Sequence, residues 1–317
     1  DVITGAEFKR LVVEGARATG VEMKDGTKIH ASSEVVLSSG AVGSPRLLQL
    51  SGIGAASHLE TLGIDVVYDQ PQVGENLQDH LDLYCICELS GPYSYDLYAK
   101  PARAAMAVIQ YLLTKKGPVA SSLFETGGFW YADPDARSPD LQFHLGLGTG
   151  IEHGVVAMPQ GGITLNSCYL RPGSRGSVKI QSDNPADAPL IDPNYLQDQL
   201  DRRNSIAGLK LTQEILSQGP LKPFIKAERL PGPDLKTDED YFDFIFEHSK
   251  TSHHCAGTCR MGPDDNAVVD TRLRFNGIAG LRIVDNSIMP TVISSNTNAA
   301  AIMIGEKASD MIKADQG

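Results

Sequence analysis

Val21, Met23, Ile29 and Ala31 alternate with polar neighbours on either side of Asp25-Gly26. An Asp-Gly pair between alternating apolar runs predicts a two-stranded hairpin. The run Glu34-Val35-Val36-Leu37-Ser38-Ser39-Gly40 then predicts a buried strand ending in a glycine turn. Helix punctuation follows: Ser44 suits an N-cap, Pro45 the first helical position, and Gly52 the position just past the end.

Further along, a helix is predicted over 104–116, closed by Gly117 with two lysines in its last turn. Strand-like runs lie at 141–145, 163–170 and 177–181. A helix over 201–218 is stopped by Gly219-Pro220, and another starts at Thr237 with three acidic residues in its first turn. Leu281 to Asp285 reads as a buried strand. A last helix over 299–313 places Ala301, Ile304, Ala308 and Met311 on one face. No repeat or low-complexity tract interrupts this order.

The chain has 317 residues, which suits two domains. Its net charge is −11, and no cluster of Lys and Arg could track a phosphate backbone, so nucleic acid is not an expected partner. No apolar run approaches the ~18 residues of a membrane span, so no transmembrane segment is expected. The five cysteines are odd in number in a chain long enough not to need staples. They predict reduced thiols in a reducing compartment such as the cytoplasm.

Common catalytic signatures are missing: there is no P-loop, no G-x-S-x-G and no H-E-x-x-H. Gly146-x-Gly148-x-Gly150 approaches the dinucleotide fingerprint but has the wrong spacing and no helix pattern after it. His253, His254, Cys255 and Cys259 could form a metal site, yet the cysteine pair lacks the second, distant pair of a zinc site. No metal is expected.

Two segments are more specific. Gly40-Ala41-Val42-Gly43-Ser44-Pro45-Arg46 through Ser51-Gly52-Ile53-Gly54 resembles a signature of the glucose–methanol–choline (GMC) oxidoreductases at each defining position. His254-Cys255-Ala256-Gly257-Thr258-Cys259-Arg260-Met261-Gly262 resembles that family's H-P-x-G-T-x-x-M-G stretch, with Cys255 where Pro is common. Gly74-x-Asn76-Leu77-Gln78-Asp79-His80 matches a third family stretch, and the segments from Val269-Asp270 to Asn296-Thr297-Asn298 match its closing block. The resemblance covers the whole chain, most strongly 34–80 and 251–313.

The resemblance implies an α/β fold: part of a Rossmann-like FAD-binding domain (1–80 and 251–317) plus an α+β substrate-binding domain with an antiparallel sheet (81–250). It implies FAD as cofactor, a small-molecule alcohol as substrate, and hydride transfer to the flavin. His254 takes the position of the catalytic base and Asn296 that of the second polar group, ten residues before Glu306, with Asn298 as runner-up. His253 falls beside the flavin or is structural, and Asp79-His80 belongs to a structural block. For the cofactor, Phe8 stands where a Val commonly meets the adenine. Ser39 and Gly40 approach the adenosine half, Asp285 and Asn286 the pyrophosphate, and Asn296 and Thr297 the flavin ring at the start of the last helix.

The family's G-x-G-x-x-G is not found here. An N-terminal polypeptide portion carrying it is therefore expected, as a separate chain or a nicked precursor, packed against 1–54 and 280–317. Three other readings stay open: a non-redox member such as a hydroxynitrile lyase, a nicotinamide-dependent dehydrogenase, and a binding or structural fragment without cofactor. Cys255, beside a His that can stabilise a thiolate, is expected to be the most reactive thiol.

Overall fold

The computed structural model describes residues 1–149, 158 and 161–316; Gly150 of the near-match to the dinucleotide fingerprint lies outside them. Strands β1 (Phe8–Glu14), β2 (Arg17–Met23), β3 (Lys28–His30) and β4 (Val35–Leu37) precede helix α1 (Gly40–Leu50). Strand β5 (Ile53–Gly54), helix α2 (Ala56–Thr61) and strand β6 (Tyr68–Asp69) lead to the long β7 (Leu81–Leu89). Helix α3 (Pro101–Thr114) is followed by β8 (Phe124–Trp130), β9 (Leu141–Gly146), β10 (Gly162–Tyr169), β11 (Ser177–Lys179) and β12 (Leu190–Asp192). Then come α4 (Gln199–Ser217), β13 (Ile225–Leu230), α5 (Asp238–His248), β14 (Lys250–Thr251), β15 (Leu281–Ile283) and α6 (Asn298–Gln316).

The chain divides into two units. The first gathers 1–79, 172–197 and 253–317. Its hairpin is the expected one: β2 and β3 pair antiparallel around Gly26, whose φ of +86° an L side chain rarely adopts. Strand β4 pairs in parallel with β15, Leu37 opposite Ile283, although 246 residues of sequence separate these two. Leu48, Ile53, Val268, Val269 and Ile283 are completely buried between these elements and α6. Ile304 and Ala308 turn the predicted face of α6 into this core.

Two expectations need correction here. Ser44 and Pro45 lie inside α1, not at its start. The Ser44 hydroxyl is not available as a cap because it donates to the Asp285 carboxylate (2.5 Å) while accepting the Ser39 N–H (3.2 Å). The segment 172–197, expected within 81–250, clusters with the first unit. Val178 donates to the carbonyl of Gly74 (2.7 Å) and accepts from the side chain of Gln49 (2.9 Å), which fixes this segment to the first unit's own helix and loop.

The second unit, 80–171 and 198–252, is built on an antiparallel sheet in the order β13-β7-β10-β9-β8, with β14 also on β7. Helix α4 covers it. Gly208 allows close approach, since a Cβ there would lie 3.1 Å from the Leu141 side chain, and Thr212 donates to Ser167 of β10 (3.0 Å). Asp198 caps α4, and Thr237 caps α5 in a capping box with Asp240. Helix α3 starts at Pro101 and ends at Thr114, two residues short of expectation, because Lys115 turns left-handed at φ +55°.

Candidate active site

The motif segments converge within the first unit. Gln78 and Ala256 exchange backbone hydrogen bonds (3.0 and 2.9 Å), and the Asn76 side chain donates to Gly257 O (3.0 Å). From Gly257 onward the chain runs beside the turn after β15, with Cys259 N donating to Ser287 O and Met261 N to Ile288 O, both at 2.8 Å. Thr258 donates to Ala41 O at the start of α1 (2.6 Å). Gln78 reaches across to Pro290 O (3.2 Å) and accepts from Val292 N (3.1 Å), holding the loop that leads to α6.

This framework brings His254 and Asn296 together. The Asn296 amide Nδ2 lies 3.1 Å from His254 Nε2. With the amide as donor, Nε2 is an acceptor and the neutral ring carries its proton on Nδ1. His254 is 7% exposed, so its imidazole meets little bulk water. Asn298 is instead the first residue of α6. His253 is exposed at φ +59°, the left-handed turn that sends the chain into the motif.

Sequence reasoning missed how His254 is held. Asp79 accepts the His254 backbone N–H at Oδ1 (2.8 Å) and the Tyr195 hydroxyl at Oδ2 (2.6 Å). The carboxylate fixes the backbone beneath the imidazole, and the phenol fixes the carboxylate. Asp79 lay in a matched segment, but nothing in the sequence around Tyr195 marks it. His80 has another task in the second unit, where its completely buried ring meets Leu170 O (3.1 Å).

For Cys255 the expected cause of reactivity does not hold, although it is the least buried of the five thiols. Burial, and then the Asp79 carboxylate beside it, push its thiol up to about 12. A thiolate is disfavoured there, so the adjacent His does not make it reactive. All five cysteines are thiols, Cys255 half-buried and the others buried. No group of three or more His, Cys, Asp or Glu suited to a metal occurs among the described residues.

The expected cofactor residues mostly gather at α1 and the turn after β15. Asp285 accepts from Gly40 N (3.0 Å) and from Ser287 N (2.8 Å), joining the two. Gly40 has φ +77°, and a Cβ built on it meets no atom within 4 Å, so backbone is presented bare to open space. Asn286 Oδ1 is buried without a hydrogen-bond partner, an acceptor suited to a ligand hydroxyl or amide. Helix α6 has no acidic residue in its first turn, which leaves its positive end for an electron-rich group. Thr297, buried, accepts Ala301 N (2.9 Å) at that helix start. Phe8 lies elsewhere, at the start of β1 opposite Met23 and 47% exposed. Bare backbone, a buried free acceptor and a helix start without acidic residues fit a dinucleotide such as FAD.

A cavity of about 460 Å³ in the second unit, between β8–β10 and α4, is lined by residues such as Trp130, Phe143 and Ile215. None of its lining residues titrates, so it has the volume of a ligand pocket without the chemistry of this site.

Two family profiles, both described as GMC oxidoreductase, match residues 1–82 and 172–305. An alcohol dehydrogenase (acceptor) from Pseudomonas putida is 40% identical over 98% of this chain and 58% of its own length. The mitochondrial choline dehydrogenase of Homo sapiens is 42% identical over 96% of this chain and 52% of its own length. The chain thus spans little more than half the length of these relatives. Among solved structures, pyridoxine 4-oxidase from Mesorbium loti superposes with a TM-score of 0.84 at 30% identity, over 98% of this chain and 57% of that one. Formate oxidase from Aspergillus oryzae, in a structure concerned with FAD modification, gives a TM-score of 0.91 at 27% identity, over 98% of this chain and 60% of that one. None of these likenesses supports a separate companion chain.

Proposed function

This chain belongs to the GMC oxidoreductase family, and from that premise we propose that it oxidises the CH–OH group of a small alcohol to a carbonyl with FAD, His254 acting as general base. What carries the reading is the contact of 3.1 Å between Asn296 Nδ2 and His254 Nε2 beside a region suited to FAD.

An alcohol oxygen entering between the two side chains accepts a hydrogen bond from Asn296 Nδ2 and donates its proton toward His254 Nε2. As the O–H bond breaks, its proton goes to Nε2 and the imidazole becomes an imidazolium. Asn296 stabilises the negative charge that develops on oxygen. FAD, when bound, accepts the hydride lost from carbon. Asp79 and Tyr195 hold His254 in place through its backbone. Ser39, Gly40, Asp285, Asn286 and Thr297 are assigned to the cofactor, with Phe8 nearest the adenine end.

The test is an anaerobic absorbance spectrum of the FAD-loaded protein while alcohols are added singly. Bleaching of the oxidised flavin bands by an alcohol, with formation of the matching carbonyl, is the expected result. A flavin that stays oxidised with every alcohol while the protein cleaves cyanohydrins would replace this reading with a lyase.

A further inference from the structure

Helix α3 contributes little to the core of its unit. Ala107 is its one buried residue, while Met106, Leu112 and Leu113 are 70, 62 and 79% exposed. Ile109 is exposed as well. At 100° per residue, Met106, Ile109 and Leu113 fall on one outward strip opposite Ala107, and Leu112 widens it. A monomeric soluble protein rarely leaves such a strip to water, because a helix stabilised by tertiary packing normally turns this face inward.

The charge around the strip is also unusual. The whole chain carries −11, yet between Asp96 and Glu125 it has four basic residues, Lys100, Arg103, Lys115 and Lys116, and no acidic one. All four are exposed, at or near the helix ends, and none forms an ion pair with another described residue. The Lys115 ammonium lies 5.1 Å from the centroid of the Tyr111 ring, a cation–π contact on an exposed residue at the C-terminal end of the helix.

We propose that α3 docks this protein on the surface of an anionic lipid bilayer, its apolar strip in the acyl boundary and its terminal cations among the headgroups. A patch that is apolar in the middle and basic at both ends matches a phosphate-bearing interface over hydrocarbon. The helix lies on such a surface and does not cross it. Its 14 residues span about 21 Å, short of the hydrocarbon core, and no described helix is long and apolar enough to cross a membrane. The inference is independent of the reaction, since none of these residues belongs to the His254 site.

The experiment is flotation of the full-length FAD-loaded protein with vesicles of phosphatidylcholine containing phosphatidylglycerol, compared with phosphatidylcholine alone. The protein is expected to rise with the anionic vesicles, less with the neutral ones, and less again in high salt. Combining Met106→Ser, Ile109→Ser and Leu113→Ser is expected to abolish flotation. The pair Lys115→Gln and Lys116→Gln should weaken it about tenfold or more, as expected for two lysines near an anionic surface. Flavin reduction by alcohol should be unchanged in both variants, which also confirms that they are folded. A parent that stays at the bottom of the gradient, or a triple variant that floats like the parent, overturns the proposal. A parent that ignores vesicles and is a dimer by light scattering, while the triple variant is a monomer, assigns the strip to a second copy instead.

Discussion

Asn296 Nδ2 lies 3.1 Å from His254 Nε2, though the two residues are 42 positions apart and come from different loops. Each is brought there by hydrogen bonds to the 76–79 segment: His254 through Asp79, and the loop before Asn296 through Gln78. Replacing Asn296 by Ala removes a neutral donor and leaves the imidazole. Flavin reduction by alcohol is expected to slow by about 10²-fold, the scale of losing one oxyanion donor, measured by anaerobic stopped flow. The loss should be smaller than that caused by removing His254.

Tyr195 and Asp79 should act through position. Tyr195→Phe deletes a hydrogen bond to a carboxylate, and a stability loss of about 1.5–3 kcal/mol is expected in urea unfolding. Because Asp79 still accepts the His254 N–H at Oδ1, the variant should keep its flavin and reduce it at a lowered rate. Asp79→Ala strands the buried His254 N–H and should be the more harmful change. Equal stability of Tyr195→Phe and the parent would remove this clamp from the account.

Cys255 should be nearly inert to iodoacetamide. With its thiol moved from 9.0 to about 12, the thiolate population at pH 8 falls about 10³-fold, three units of pKa at tenfold each. The sign for stability follows from proton counts. Between pH 9 and about 12 the unfolded thiol releases its proton and the folded one retains it, so the folded state loses stability as pH rises through that window. Asp79→Asn removes one cause of the shift and should raise the alkylation rate. Fast alkylation of Cys255 in the folded parent at pH 8 would contradict its placement beside Asp79.

Gly257 should tolerate no side chain. Its φ is +93°, and a Cβ would sit 2.6 Å from the carbonyl oxygen of Asn76. Gly257→Ala adds left-handed strain to a backbone clash and should cost about 2–5 kcal/mol, measured as a fall in Tm. The displacement lies three residues from His254, so catalysis should fall with stability.

Much of this was legible in the sequence where a residue's role is local. Asp25-Gly26 specified its hairpin, Thr237 its capping box, and the spacing of Ile304 and Ala308 the buried face of α6. His254 and Asn296 could be named because family resemblance marked their positions. Roles set by distant partners were not readable. Ser44 looks like a helix cap until Asp285, 241 residues away, takes its hydroxyl. Cys255 looks activated by its neighbour in sequence until burial, and then Asp79, its neighbour in space, push its thiol the other way. Tyr195 carries no local signal, since its meaning depends on Asp79, 116 residues earlier. The apolar strip of α3 was hidden for the same reason: a helical pattern shows which side is apolar, and only packing shows that this side faces outward.

The central claim is that His254 is the base. The most direct measurement is the rate of anaerobic flavin reduction in FAD-loaded His254→Ala, with an alcohol that reduces the parent. The account predicts retained FAD and a rate lower by about 10²–10⁴-fold, the worth of a positioned general base. Reduction as fast as in the parent would contradict it.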